Sequence, residues 1–498
     1  MILRHFGAVV AAALSVLVVG ACAPRASGSA PGSPAAGAGA AASGGWGRAE
    51  QVPGLAALAG SGDSGLSAVS CASPGNCSAG GFYASGGTSQ AFVVSQVSGT
   101  WGRALEVPGL AGLNKGSNAQ VSTVSCASPG NCSAGGYYTS GHSAGGAPMT
   151  AAFVVSQVHG TWGTAQAVPG LAALNTGKEA GVSSVSCASP GECSAGGSFG
   201  RPFGQGSCCR PNGFVVSQVN GTWGTAQKIQ GTAGVSSVSC ASPGNCGATA
   251  GGLVVSQAGG TWGKARRVAT PAGSTFGKAS MTLISCATPA NCTAGGAGQK
   301  MARALVVSQV HGTWGTAREI PGTAGLTKRG SSQLSAVSCT APGYCTAGGS
   351  GYWQHPEGSS TRAFAVPYVV RQRRGSWGQA ERIPDIGAVS KNGYAVVTAL
   401  SCSSPGNCGV AGRYTTSSYN PDGSGPGQVF VTSQVRGALT TPRVITTALG
   451  NDGPAEIAAI ACTAAGRCSA VGYYWLGNQE RAFVISQTSP LAVSRALG

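Results

Sequence analysis

The sequence predicts an all-β protein, an eight-bladed β-propeller with four antiparallel strands in each blade. Eight cysteine pairs recur along the chain, each with five residues between its members. Each pair lies in a variant of one phrase, Ser-Ala-Val-Ser-Cys-Ala-Ser-Pro-Gly-Asn-Cys-Ser-Ala-Gly-Gly, which begins in its clearest form at Ser67. Such internal repetition is typical of solenoids and propellers. Each unit also holds four strand-like segments, and eight units of four strands favour a propeller.

The first unit shows how the four strands are predicted. Residues 66–71 alternate apolar and small polar side chains, which is the period of a half-buried strand. Pro74 and Gly75 then predict a tight turn, because Pro presets its φ and Gly accepts a positive one. Residues 77–83, 91–97 and 101–107 are the predicted second, third and fourth strands. In the third unit the last turn contains Asn220-Gly221, a strong hairpin signal.

The two ends of the repeat array indicate how the ring closes. Residues 46–52 have the pattern of a fourth strand but follow no strands of their own, so they can complete the last blade. Residues 491–497 are the alternative. Either segment gives eight blades and removes the open sheet edges.

The N-terminal residues predict export. Residues 1–21 form a signal peptide, in which Arg4 and His5 precede an apolar run of about 14 residues, shorter than the roughly 20 that span a bilayer. The small residues before Cys22 resemble the bacterial lipoprotein cleavage box, so Cys22 is the predicted lipidation site; the alternative is a secretory signal cut after Ala21 or Ala23. Residues 22–45, rich in Ala, Gly, Ser and Pro, are a flexible tether, and residues 46–498 form one propeller domain. We expect a protein anchored by lipid at the outer face of the cell membrane, or secreted in the alternative.

Export makes disulfides the expected state of the paired cysteines. Zinc would need two more ligands in each unit, and five histidines cannot supply eight sites, so we expect no metal and no cofactor. Cys208 and Cys209, in a long segment of the third unit, form a vicinal disulfide or remain unpaired within the chain. The predicted hairpin disulfides join Cys71 to Cys77, Cys126 to Cys132, Cys187 to Cys193, Cys240 to Cys246, Cys286 to Cys292, Cys339 to Cys345, Cys402 to Cys408 and Cys462 to Cys468.

Charged residues are few but unbalanced, with 30 Lys and Arg against 13 Asp and Glu. Residues 264–391 hold 15 of the basic and 4 of the acidic residues. The excess either keeps a surface rich in Gly and Ala soluble, or serves an anionic partner such as a cell-wall polymer or lipid headgroups. No nucleic-acid motif is recognisable, and we expect a monomer without nucleic acid.

The lengths of the connections distinguish two faces of the predicted propeller. The turns from first to second and from third to fourth strand share one face, and they are short in every unit; we call this the constant face. The other connections share the opposite, variable face, and they are long at residues 139–150, 198–213, 350–363 and 413–428. Elaboration on one face of a repeat scaffold is typical of a binding surface.

Aromatic side chains support the variable face as a ligand-binding surface. Seven of the nine Trp residues occupy one repeat position and are interpreted as packing residues, whereas Trp353 and Trp475 fall where second strands reach the variable face. Flat rings beside polar groups suit stacking on sugars or peptides; the alternative is that they cover loop backbone. The candidate ligand-binding residues are Tyr137, Tyr138, His142, Tyr352, Trp353, His355, Tyr414, Tyr473, Tyr474 and Trp475.

The repeat phrase, followed by an apolar strand and a Gly-x-Trp-Gly hairpin, resembles repeats of exported, mostly uncharacterised actinobacterial proteins over residues 46–488. It is also similar to kelch-type blades, since a Gly doublet such as Gly135-Gly136 is paired with a downstream Trp such as Trp162. Gln157 stands where the kelch pattern has Tyr. These resemblances imply a propeller and little about activity.

The sequence favours a binding protein over an enzyme. The Ser-x-Asp-x-Gly-x-x-Trp boxes of sialidase-like propellers are absent, and the candidate acids Glu357, Asp422 and Glu480 are not paired by any motif. We interpret the chain as a non-catalytic cell-envelope lipoprotein, a ligand-binding or interaction scaffold for cell-wall glycan, anionic envelope polymer or another envelope protein. The alternative is a polysaccharide-acting hydrolase or lyase with its site in the central funnel, which two facing carboxylates there would favour.

Overall fold

The computed structural model describes residues 45–487, apart from residues 117, 176–178, 201–210, 301, 328–329, 358–359, 391–392, 416–426 and 446–452. Several predicted features lie outside the described residues. These are the signal peptide, lipidation at Cys22, the tether before residue 45, Cys208, Cys209, Asp422 and residues 491–497, together with the side chain of Glu357.

The described residues form eight antiparallel sheets in chain order, which confirms the predicted eight-bladed propeller with four strands in each blade. The first strands are Ser64–Ser73, Ala119–Ser128, Ala180–Ser189, Val235–Ser242, Ala279–Thr288, Ser331–Ala341, Ala395–Ser404 and Ala455–Ala464. The second strands are Asn76–Ser85, Asn131–His142, Glu192–Phe199, Asn245–Ala250, Asn291–Gly298, Tyr344–Glu357, Asn407–Thr415 and Arg467–Leu476. The third strands are Thr88–Val97, Pro148–Val158, Asn212–Val219, Leu253–Ala258, Ala304–Val310, Ser360–Arg373, Gly427–Val435 and Gln479–Ser486.

The fourth strands are short and mostly interrupted, unlike the continuous segment that the sequence predicts over residues 101–107. At the interruption in blade 1, the backbone N–H of Ala104 leaves the sheet and donates to the carbonyl of Pro53, in the segment before the blade, at 2.7 Å. The interruption therefore ties the outer strand to the preceding connection. The pieces are Thr100–Trp101 with Leu105–Glu106, Thr161–Trp162 with Gln166–Ala167, Thr222–Trp223 with Gln227–Ile229, Thr261–Trp262, Thr313–Trp314 with Arg318–Glu319, Ser376–Trp377 with Glu381–Arg382, Ala438–Leu439 with Arg443–Val444, and Glu50–Gln51 in blade 8.

Within the described residues, five short helices precede first strands, and the sequence pattern did not predict them. Each follows a residue in the left-handed region, such as Gly54 with φ of 75° and Gly109 with φ of 77°. A buried apolar residue, such as Leu110, anchors most of these turns. None of the helices in the described residues has the length and apolar character needed to cross a bilayer. The helices are Leu55–Ala59, Leu110–Leu113, Leu171–Leu174, Thr323–Leu326 and Ile386–Val389.

The eight blades form a closed ring around a central funnel. Each first strand contacts the first strands of both neighbouring blades, including those of blades 8 and 1, so the first strands surround the axis. The ring closes through Glu50–Gln51, which pairs with Gln479–Ser486, and through a bridge between Trp46 and Gln487. The sequence left two candidates for the closing strand, and the described structure uses residues 46–52.

Close contacts between blades explain the Gly doublet of the repeat. A Cβ placed on Gly80 would lie 2.5 Å from Cγ1 of Val121 in the next blade, which is too close for a side chain. Hydroxyl groups tighten the same seams: the backbone N–H of Cys126 donates to Oγ of Ser70 at 2.9 Å, and six later seams repeat this bond. At the seam between blades 8 and 1, Ala461 replaces the serine.

All eight predicted hairpin disulfides are present, one in each blade. Each joins the first and second strands across the turn at the constant face. Disulfides of this number indicate an oxidising environment of the kind that exported proteins meet.

Candidate functional site

The longest segments of the variable face are partly extensions of the blades. In blade 6 the second strand extends as far as Glu357 and the third strand begins at Ser360, so most of residues 350–363 is paired β-structure. In blade 2 the corresponding strands pair as far as His142 and Pro148. Rings carried by these hairpins are therefore held by ladder hydrogen bonds rather than by irregular loops.

Three of the predicted ligand-binding tyrosines are buried inside the blades. Tyr138, Tyr414 and Tyr474 are 6%, 4% and 0% exposed. The Tyr474 ring meets Phe483 edge-on with centroids 6.3 Å apart, and its hydroxyl accepts a hydrogen bond from Nε2 of Gln51 at 2.9 Å. These rings pack the blade interiors and are not presented to a ligand.

The other predicted residues remain at the surface of the variable face. Tyr137, Tyr352, Trp353, Tyr473 and Trp475 are partly buried, and the two histidines, His142 and His355, are exposed. The Trp353 ring stacks on Phe364 of the paired strand, with centroids 5.4 Å apart and planes 4° from parallel. This contact fixes the orientation of the indole.

Four titratable side chains meet where blade 8 adjoins blade 1, and we call Asp63, Glu456, Tyr473 and Glu480 the acidic cluster. The Tyr473 hydroxyl donates to Oε2 of Glu456, its cross-strand partner, at 3.2 Å. The backbone N–H of Glu480 donates to Oδ1 of Asp63 at 2.9 Å. A Cβ on Gly65 would lie 2.6 Å from Oε1 of Glu480, so glycine makes room for this carboxylate beside the first strand of blade 1.

The environment of the acidic cluster changes its protonation. Burial first, and then the charges of Asp63 and Glu456, raise the pKa of Glu480 to about 8. Burial first, and then the charges of Glu456 and Glu480, raise the pKa of Tyr473, while the charge of Arg413 lowers it. At neutral pH, Glu480 is therefore mainly a neutral carboxylic acid that can donate a hydrogen bond.

Arg413 links the acidic cluster to the aromatic residues of blade 6. It occupies the position in blade 7 that Tyr473 occupies in blade 8, paired with the second residue of the first strand. Its charge also acts on Tyr352, whose pKa burial and Tyr394 raise to about 12. A row of polar and aromatic groups thus crosses the seams of blades 6, 7, 8 and 1 on the variable face.

Sequence reasoning named Tyr473 and Glu480 separately but missed Asp63, Arg413 and Glu456. Asp63 and Glu480 are 417 positions apart, and only closure of the ring brings them together. One signal was available: Glu456 occupies a position where the corresponding residues of blades 1 and 2 are Gly65 and Gln120. A charged departure from the repeat pattern beside the axis marks a functional candidate.

The arrangement can form hydrogen bonds of both polarities beside flat apolar rings. A neutral Glu480 donates, the carboxylates of Asp63 and Glu456 accept, and Arg413 supplies a planar cation. Carbohydrates need this combination, because their hydroxyls both donate and accept and their C–H faces stack on aromatic rings. Within the described ranges, no group of three or more His, Cys, Asp and Glu side chains is placed to hold a metal ion.

No protein-family model matches this sequence, and neither does any curated protein. Solved structures resemble it at low identity. Sqt1 of Chaetomium thermophilum is 11% identical, with 88% of this chain and 97% of that chain covered and a TM-score of 0.47. A polysaccharide lyase, an ulvan lyase, is 11% identical, with coverages of 90% and 95% and a TM-score of 0.43. Hydrazine synthase of Kuenenia stuttgartiensis is 9% identical, with coverages of 72% and 94% and a TM-score of 0.43. These similarities carry no information about function.

Proposed function

We propose that this protein is a non-catalytic cell-envelope lipoprotein, anchored through Cys22, whose variable face binds a cell-wall glycan at blades 6 to 8. The site comprises Tyr352, Trp353, Tyr473 and Trp475 with the polar groups between them. The observation that carries the proposal is the row of partly buried rings, Arg413 and carboxylates across consecutive seams. Aromatic platforms with interspersed hydrogen-bonding groups are the usual means of holding a sugar chain without reacting with it.

A second candidate function, hydrolysis or elimination of a polysaccharide, is favoured by one specific observation. The pKa of Glu480 lies near 8 beside the carboxylates of Glu456 and Asp63. Neighbouring carboxyl groups in different protonation states are what general acid and base catalysis requires. Binding remains the preferred function because nothing beyond this cluster indicates a reaction.

The test uses residues 23–498, a chain without the predicted lipidation site Cys22, with purified cell-wall glycan fragments. We expect measurable binding, weakened about tenfold by Trp353→Ala or Trp475→Ala through loss of a stacking surface. Tyr344→Ala is the matched control, because Tyr344 begins the strand that carries Trp353 but lies at the constant face. Equal weakening by all three variants would contradict the proposed site, and so would unchanged binding in both tryptophan variants.

The same samples separate the two candidate functions. Fragment size and the absorbance of unsaturated sugars are followed over time with the wild-type chain and Glu480→Gln. Intact glycan in both samples supports the scaffold. Cleavage by the wild-type chain that is lost in Glu480→Gln, while binding is kept, would replace the scaffold with the enzyme.

A further inference from the structure

One blade seam departs from the hydrogen-bond pattern that the others share. In a typical seam a third-strand glutamine joins its own turn to the preceding blade. Nε2 of Gln218 donates to Oγ of Ser156 in the preceding blade at 3.0 Å and to the carbonyl of Gly221 in its own turn at 2.9 Å. The seam between blades 6 and 7 has Arg371 in place of the serine. The glutamine there, Gln434, is 1% exposed, and its Nε2 has no hydrogen-bond partner within the described part of the chain.

Arginine side chains gather over this seam at the constant face. A Cβ placed on Gly437 would lie within 3.0 Å of both Nη1 of Arg371 and Nη2 of Arg373, so the two guanidinium groups share one small volume. Gly437 is buried, whereas its counterparts in the first six blades are exposed. The two arginines of blade 6 therefore cover the last turn of blade 7.

Only part of this positive charge is balanced. Nη2 of Arg371 donates to Oε1 of Glu381 at 2.7 Å, which leaves the Nη1 edge directed at Gly437. Among the described residues, Arg373, Arg374 and Arg436 form no ion pair with a carboxylate. Like charges held together cost free energy, and so does a buried, unsatisfied N–H, unless an anion is bound beside them.

We propose that the seam between blades 6 and 7 is a phosphate-binding site on the constant face, for a soluble polymer that carries phosphate groups. Arg371 and Arg373 hold one phosphate between them, and Nε2 of Gln434 lies beneath it as a further donor. Guanidinium groups suit this ligand because their planar N–H forks match phosphate oxygens.

The distribution of charge favours a polymer over a single phosphate. Arg374 and Arg436 stand in the last turns of blades 6 and 7, and Arg467 begins the second strand of blade 8 directly after its first turn, all exposed at the constant face. They follow one another around the ring from the proposed site. A chain of phosphates can engage them in succession, which raises its affinity above that of one phosphate. This site is on the opposite face from the proposed glycan site and does not depend on it.

The test measures binding of linear polyphosphate and of inorganic phosphate to the chain of residues 23–498. Arg371→Ser restores the residue found in the other seven blades, so the variant is expected to fold with an unchanged or higher melting temperature. We expect Arg371→Ser and Arg373→Ser each to weaken polyphosphate binding about tenfold. Arg382→Ser removes the same charge from an exposed position on the outer strand of the same blade, and it should change affinity less than about twofold.

Three results would overturn the proposal. Equal loss in Arg371→Ser and Arg382→Ser would show general charge attraction without a site. Unchanged polyphosphate binding in both Arg371→Ser and Arg373→Ser would show that the seam is not used. Weakened binding to phosphatidylglycerol vesicles, with polyphosphate binding unaffected, would assign the arginines to a lipid headgroup instead.

Discussion

The glutamine near the end of each third strand shows how a single residue can be repeated for structure alone. Gln157 and Gln218 are each 3% exposed, and each donates Nε2 to its own turn and to a serine of the preceding blade. Buried amides are stable only when their hydrogen bonds are made, so the glutamine and the serine are kept together. Residues that depart from such a pattern, such as Arg371 and Glu456, are the ones that offer chemistry to a ligand.

Replacing Glu480 with Gln should make stability less dependent on pH. Because the folded-state pKa of Glu480, about 8, lies above its ordinary value of 4.5, the folded protein holds a proton that the unfolded chain releases between these values. Stability should therefore fall as the pH rises through this window. Near pH 9, Glu480→Gln should raise the melting temperature, because it removes a free-energy cost on the order of a few kcal/mol at most.

Near pH 5 the same variant should melt almost with the wild-type chain, because Glu480 is already neutral there. Glu50→Gln is the control, since Glu50 is exposed on the closing strand. A stabilisation by Glu480→Gln that is equal at both pH values would show that Glu480 is not protonated in the folded protein. Thermal unfolding followed by circular dichroism measures both.

Individual elements were predictable where their signal is local. The hairpin between Cys71 and Cys77 needs only strand alternation and a Pro-Gly turn, and the structure places it as predicted. The interrupted fourth strand was not predictable, because the bond from Ala104 to Pro53 joins the outer strand to the connection that precedes the blade. Helices of four or five residues, such as Leu110–Leu113, are too short to show a periodic pattern.

Removing one hairpin disulfide should weaken the protein modestly without unfolding it. Cys240→Ala combined with Cys246→Ala opens a loop with a sequence separation of 6, and closing so short a loop contributes about 2 kcal/mol. We expect a lowered midpoint of denaturant unfolding with an unchanged circular dichroism spectrum. The matched variant, Cys187→Ala with Cys193→Ala, should cost a similar amount in blade 3. A loss of β-structure in either double variant would mean that the bridges determine the fold rather than reinforce it.

At the scale of the whole molecule, the candidate site is a product of ring closure. Blades 6 to 8 alone contain Tyr352, Arg413 and Glu456, but Asp63 reaches them only when the first blade meets the last. The sequence revealed the variable face through connection lengths, and it could not reveal the acidic cluster because no local spacing relates its members. The closing strand therefore controls both stability and the completeness of the site.

Deleting residues 23–52 from the chain of residues 23–498 tests this role of closure. The third strand of blade 8, Gln479–Ser486, would lose the partner that Glu50–Gln51 provides and expose an unpaired edge. We expect a lower melting temperature and concentration-dependent association by light scattering, because open strand edges pair with other chains. A chain that begins at Gly45 is the control and should behave as the wild-type protein. A synthetic peptide of residues 45–53 should restore the monomer and the melting temperature. A truncated chain that stays monomeric with unchanged melting would indicate that residues 491–497 can take the place of the closing strand.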